Sequence, residues 1–313
     1  MGKIAFIFPG QGSQTVGMGK EAAESNTNAK KTFEQADERL GYSLSSIIFE
    51  GPQEKLTLTA NAQPALLTTS IALMQDLKEA GISPDYTAGH SLGEYTALVA
   101  AGAIDFSDAV YAVNKRGEYM EEAVPDGKGT MAAILGLDRS VLQDVCASVS
   151  EKGDDVQLAN MNCPGQIVIS GTVAGVQKAG EKAKEQGAKR VLPLQVSGPF
   201  HSSLMKPAAE KFSGILNEIT IRDASVPVVV NVTATPETKK EVFEEKLIEQ
   251  LYSPVLWEDT VQQLIASGVD TFVEVGPGKV LSGLVRKVDR NVKTISVQDP
   301  ESCQQAIELL RGE

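Results

Sequence analysis

An unbroken apolar run opens the chain, Lys3–Pro9 (KIAFIFP), and stops at a glycine-rich loop. A short continuous run of this kind predicts a strand buried on both faces, as inside a parallel sheet. From Pro64 to Ala80 the period lengthens. Leu67, Ile71, Met74 and Leu77 share one helical face, and Pro64 suits the first position, where no backbone N–H is needed. "DYTAGH" leads into Ser91 and then into the helical stretch "GEYTALVAAG", closed by Gly102. A helix over Ser107–Val124 ends at Pro125. Further on, the pattern predicts a strand Val226–Asn231, helices near Lys239–Leu251 and Asp259–Ser267, and a strand Thr271–Gly276. A helix near Val280–Val288, the strand "KTISV" and a terminal helix follow. Strand and helix alternating in this way indicate an α/β fold with a parallel sheet.

The middle of the chain has another order. Gly129–Leu135 reads as strand and Asp138–Ser150 as helix. Val156–Met161 and Gln166–Ser170 read as strands joined by the turn "NCPG"; Val173–Glu185 reads as helix and Ala188–Pro193 as strand. This β-α-β-β-α-β order is that of a ferredoxin-like unit. Residues 128–196 are therefore expected to form a small domain inserted into a larger one made of 1–127 and 197–313. A cleft between two such units is a usual place for an active site.

Composition narrows the function classes. With 313 residues, 42% of them apolar, the chain is long enough for a large buried core. A formal net charge of −12 argues against unassisted binding to nucleic acid or to an anionic membrane. The three cysteines (Cys146, Cys163, Cys303) have no C-x-x-C spacing, and there are only two histidines. Reduced thiols in a cytoplasmic protein, with no metal site, are expected. The first apolar run is too short for a signal peptide, Phe6 breaks a myristoylation motif, and no run is long enough to span a bilayer.

The loop "GQGSQTVGMGK" resembles a phosphate cradle but fails both tests. Thr15 stands where a dinucleotide fingerprint needs its third glycine, and Met18 stands where a P-loop needs lysine. The loop either aims backbone N–H groups and Gln11 at some other anion or is a turn needing positive φ.

Gly89-x-Ser91-x-Gly93, between a strand and a helix, matches the nucleophile elbow, in which a sharp turn projects the serine above the sheet beside a helix N-terminus. A nucleophilic serine needs a base. His90 is adjacent through a sharp turn and points elsewhere, so it packs beneath the elbow or lines the pocket. The remaining histidine, His201 in "SGPFHSSLM", begins a helix and is the credible base. No carboxylate motif marks an orienting partner for it; an Asp, a Glu or a backbone carbonyl would serve. Arg116 shares its helical face with Ala109, Val113, Met120 and Ala123. A guanidinium on an apolar face either pairs with an internal carboxylate or awaits a substrate carboxylate held bidentately; its place one helix away from Ser91 favours substrate.

These segments, "FIFPGQGSQ", "AQPAL", "GHSLGEYTALVAAG", "RGEYM", "GTMAAILG", "NCPGQIVISG", "GPFHSSLM", "LYSPVLW" and "VEVGPGKVLSGL", follow the order found in the malonyl-CoA:acyl carrier protein transacylases, which the chain resembles along essentially its whole length. The resemblance implies an α/β-hydrolase-like large domain with a ferredoxin-like insertion. It implies Ser91 as nucleophile and His201 as base, held by the main-chain carbonyl of Gln250, with the N–H groups of Gln11 and Leu92 as oxyanion hole. It further implies Arg116 as clamp for the malonyl carboxylate, Asn162 in the cleft, and Phe200 as the bulky ring that disfavours an α-methyl group. Gly198-Pro199 departs from the megasynthase version of that last motif. The expected reaction is malonyl transfer from malonyl-CoA to an acyl carrier protein through a malonyl-serine, without metal or cofactor, by a monomer. The competing reading is a serine hydrolase or thioesterase.

Overall fold

The computed structural model describes residues 2–125 and 127–312. Among the described residues ten strands are seen: β1 (Lys3–Phe8), β2 (Tyr86–Gly89), β3 (Gly129–Leu135), β4 (Val156–Cys163), β5 (Gln166–Thr172), β6 (Arg190–Pro193), β7 (Val228–Val229), β8 (Pro236–Glu237), β9 (Val269–Val275) and β10 (Lys293–Val297). They form a six-stranded sheet, β10-β9-β1-β2-β7-β8, and a four-stranded one, β4-β5-β3-β6. The larger sheet is parallel from β10 to β7, with β8 antiparallel at its edge. The smaller is antiparallel throughout. The α/β fold with a separate small antiparallel sheet, expected from the alternation of patterns, is the fold observed.

The central strand β1 is buried on both faces, as its continuous apolar run requires: Phe6 and Phe8 face one core while Ala5 and Ile7 face another. In the small sheet the same alternation separates Met131 and Ala133, packed with the main core, from Ala132 and Ile134, packed under the helices Arg139–Ser150 and Val173–Glu185. A backbone clip ties the small sheet to the segment ahead of the helix Trp257–Ala266: Met161 N–H donates to Val255 O at 2.9 Å, and Val255 N–H donates to Ala159 O at 2.8 Å.

Two expectations change. The strand expected at Val226–Asn231 pairs only over Val228–Val229, because the chain turns back through Ala234, whose N–H donates to Val230 O, into β8. Pro64 is not at a helix start. The helix runs Thr59–Glu79 with Pro64 inside it. Proline cannot donate to the carbonyl four residues back, so Ala60 O is left free, and the Asn114 side chain donates to it instead at 2.9 Å. Glu121 caps the start of the same helix by accepting from Thr59 N–H at 2.6 Å. The helices Lys20–Ser25, Thr27–Leu40, Leu44–Glu50 and Gln53–Thr57 were not anticipated. The longest of them buries Ala29, Thr32, Phe33 and Ala36.

Asn114→Leu is expected to lose about 1–3 kcal/mol in urea denaturation, the cost of a buried acceptor left unpaired. Adding Pro64→Ala should recover part of that loss, since an alanine N–H again reaches Ala60 O; additive losses would refute the compensation.

Candidate active site

The register Phe8↔Gly89 sets β1 and β2 side by side at their C-terminal ends. Their loops, Pro9–Gly12 and His90–Ser91, therefore leave the sheet together, where ligands of parallel sheets are bound. The elbow is tight. A Cβ on Gly89 would lie 1.9 Å from the Gly93 backbone, and one on Gly93 would lie 2.1 Å from Phe8 O. Ser91 between them holds φ 52° and ψ −108°, a strained conformation of the kind kept at functional turns. Its N–H donates to Asn231 Oδ1 at 2.7 Å, and Asn231 Nδ2 donates to Gly89 O at 2.7 Å, so one asparagine pins both sides of the turn.

His201 also sits at positive φ, 57°, ahead of the short helical turn Ser203–Met205. Its Nε2 lies 2.8 Å from Ser91 Oγ, and its Nδ1 lies 2.8 Å from Gln250 O. A carbonyl only accepts, so Nδ1 carries the proton and Nε2 is left to accept from the serine. Burial, with the Arg116 charge beside it, lowers the His201 pKa to about 3 and keeps the ring neutral.

Arg116 is 1% exposed. Nη1 donates to Gln63 Oε1 at 2.7 Å; Nη2 donates to Gln250 Oε1 at 2.8 Å and to Ser91 Oγ at 3.2 Å. Among the described residues no ion pair involves it. Its partners are neutral oxygens, and burial lowers its pKa. The guanidinium thus remains an unneutralised cation beside the serine hydroxyl.

These groups line a cavity of about 160 Å³ together with Gln11, Leu92, His90, Phe200, Met131 and Asn160. Leu92 opens the helix Leu92–Ala100, so its N–H has no partner within the helix. Gln11 is half-buried in the neighbouring loop, its side-chain amide held on Thr59 Oγ1 at 3.2 Å. The buried Phe200 ring forms a wall. His90 lines the cavity, its Nε2 2.9 Å from Asn162 Oδ1 and its ring tilted against Trp257. Asn162 lies two residues further along β4, on His90, and the asparagine lining the cavity is Asn160.

Four polar groups of the site were not singled out from the sequence: Gln63 and Glu94, although both stand inside segments quoted above, Asn231, and the side chain of Gln250. Asn231 closes the apolar run "VPVVVN", and a polar residue at that end of a buried strand was the available signal. Among the described residues no three His, Cys, Asp or Glu side chains gather as metal ligands. Cys146, Cys163 and Cys303 are free and buried. No helix among the described residues is long and apolar enough to cross a membrane.

A neutral histidine, a strained serine and two candidate N–H donors around one cavity are the parts of acyl transfer through a serine ester. Residues 5–306 match the acyl transferase domain family. The chain belongs to that family. It is 64% identical, over its full length and 99% of the relative, to the malonyl CoA-acyl carrier protein transacylase of Bacillus subtilis. Its structure superposes with a TM-score of 0.95 on an acyl carrier protein S-malonyltransferase from Vibrio cholerae, at 44% identity over 97% of this chain and 99% of the other. It matches equally, at a TM-score of 0.95 and 43% identity over 98% of this chain and 99% of the other, a malonyl-transacylase solved in complex with a type II PKS acyl-carrier protein.

Between about 3 and 6.5 the unfolded acyltransferase binds a proton at His201 that the folded one does not, so this contribution to stability falls as pH drops through that window. Wild type should therefore lose more urea stability from pH 7 to pH 5 than His201→Gln, and equal losses would refute a depressed imidazole. Labelling of Ser91 by a fluorophosphonate should keep its neutral rate well below pH 6.5.

Proposed function

We propose that this acyltransferase takes malonyl-CoA as donor and the phosphopantetheine thiol of an acyl carrier protein as acceptor. The observation that carries the reading is Arg116, a buried cation without a carboxylate partner, 3.2 Å from the Ser91 hydroxyl. A short diacid thioester presents its reacting carbonyl to Ser91 and its free carboxylate to the guanidinium, which binds such a group bidentately. The names of the relatives point to the same donor and acceptor.

His201 Nε2 takes the Ser91 proton as Oγ attacks the thioester carbon. The oxyanion is received by the N–H groups of Gln11 and Leu92, a kind of donor whose loss typically costs about 2.7–4 kcal/mol. The carbon–sulfur bond breaks, the CoA sulfur takes the proton from His201, and malonyl-Ser91 remains. The carrier thiol then gives its proton to His201 and its sulfur attacks the ester. Ser91 recovers the proton and malonyl-carrier leaves. These steps use side chains and backbone alone. The buried Phe200 ring leaves little room for an α-substituent on the acyl group.

Carrier docking is proposed at one end of the small sheet. Leu135 pairs with both Arg190 and Gln166, Lys189 N–H donates to Leu135 O, and Lys287 Nζ donates to Gln166 Oε1 at 3.0 Å. Lys189, Arg190 and Lys287, far apart in sequence, thereby gather on one surface suited to an acidic carrier.

Intact mass after exposure to malonyl-CoA should show a malonyl adduct on wild type and none on Ser91→Ala; release of free malonate in place of malonyl-carrier, with carrier present, would make the protein a thioesterase instead. Arg116→Ala should lower malonyl transfer about 100-fold, the scale of hydrogen bonds to a buried charge, while sparing acetyl transfer. Equal losses on both donors would reduce Arg116 to a structural role. Lys189→Glu with Lys287→Glu should raise the carrier's KM and leave that of malonyl-CoA unchanged.

A further inference from the structure

We propose that Glu94 is a positioning residue for the transfer, fixing the Gln250 amide so that one glutamine serves both His201 and Arg116. The inference rests on the malonyl reading above. Ser91-x-x-Glu94 has the spacing of a helix capping box, in which the acid would reach back to the serine N–H. No such cap forms here. The Ser91 N–H goes to Asn231 Oδ1, and the Glu94 carboxylate points into the protein, 1% exposed and without an ion pair among the described residues. Its Oε2 accepts from Asn231 N–H at 3.0 Å and from Gln250 Nε2 at 2.8 Å.

Both contacts lead into the site. Gln250 Nε2 also donates to Ser91 O at 3.0 Å, Gln250 Oε1 accepts from Arg116 Nη2 at 2.8 Å, and the main-chain oxygen of Gln250 faces His201 Nδ1. A primary amide has one donating and one accepting end. Reversed, it would set its oxygen against the Glu94 carboxyl and its NH2 against the guanidinium, which cannot accept. Glu94, at 2.8 Å the nearest of the oxygens that accept from Gln250 Nε2, therefore helps fix which end meets Arg116. Oε2 is the accepting atom whether or not a proton sits on Oε1, so the role does not depend on ionisation. Glu94 touches neither donor nor acceptor substrate; it acts through Gln250.

The test compares kcat/KM for malonyl-CoA and acetyl-CoA, which a merely structural residue would lower together. Glu94→Gln keeps an accepting oxygen in place and should keep the malonyl-to-acetyl ratio of wild type. Glu94→Leu should lower that ratio about tenfold, the scale of one hydrogen bond to a charged group, mainly through the KM for malonyl-CoA. Gln250→Met removes the amide, retains the main-chain carbonyl, and should lower the ratio by the same factor; the double variant should add nothing further. A wild-type ratio in Glu94→Leu, or a ratio in Glu94→Gln as low as in Glu94→Leu, overturns the proposal. If Glu94→Leu does not fold, a wild-type ratio in Gln250→Met overturns it and a lowered one supports it. A wild-type enzyme that shows no preference for malonyl-CoA would fail the functional reading instead, before any variant is compared.

Discussion

A cation buried without an anion is the constraint on which the site depends. Transferring a guanidinium out of water costs several kcal/mol in order of magnitude unless something replaces its hydration. Here the replacement is the oxygens of Gln63, Gln250 and Ser91, dipoles in place of a charge. Dipoles lower the cost of burial without cancelling the field, so the positive potential reaches the neighbours. It helps hold His201 neutral, the form a base needs, and it leaves Arg116 able to gain from a carboxylate brought by a ligand.

Backbone geometry makes that arrangement rigid. Ser91 and His201 are both non-glycine residues at positive φ, held there by neighbours that tolerate no slack. Gly89 and Gly93 are pressed against backbone, and Asn231 bonds on both sides of the elbow. The small sheet closes the other wall. The clip between Val255 and β4 fixes the segment that follows Gln250, so a displacement of the small sheet would be felt at the carbonyl opposite His201 Nδ1.

What the sequence made legible follows from the range of each signal. Periodicity is local, and the strands and long helices with large apolar side chains came through it: KIAFIF, the ferredoxin-like order, and the helix carrying Arg116. The four helices between Lys20 and Thr57 did not: Lys20–Ser25, Leu44–Glu50 and Gln53–Thr57 are too short for a helical period to be read, and Thr27–Leu40 is polar over most of its length. Pro64 misled for a specific reason: the carbonyl it leaves free is satisfied by Asn114 from another helix, a tertiary repair invisible to a local rule. In the site, Ser91, His201 and Arg116 could be singled out because each breaks a pattern: a serine between glycines, one of only two histidines, a cation on an apolar face. Gln63, Asn231 and the Gln250 amide break none. Neutral amides are ordinary at any position, and their importance lies in orientation, which appears only when the elements are assembled.

The choice of a main-chain carbonyl, rather than a carboxylate, opposite His201 Nδ1 follows from the same charge balance. An aspartate at that point would stabilise an imidazolium, but it would also lie close to Arg116 and pair with it electrostatically. An incoming carboxylate would then meet a cation already spent. A carbonyl dipole orients the ring and supplies no net charge, so the arginine keeps its attraction for substrate. The acid Glu94 is separated from Arg116 by the Gln250 amide, and burial raises its own pKa to about 7. Near neutral pH it is therefore only partly ionised and screens the guanidinium weakly. On the function proposed, a serine-histidine pair without a third acid suits an anionic acyl group, because the charge that would strengthen a base at His201 would weaken a clamp at Arg116.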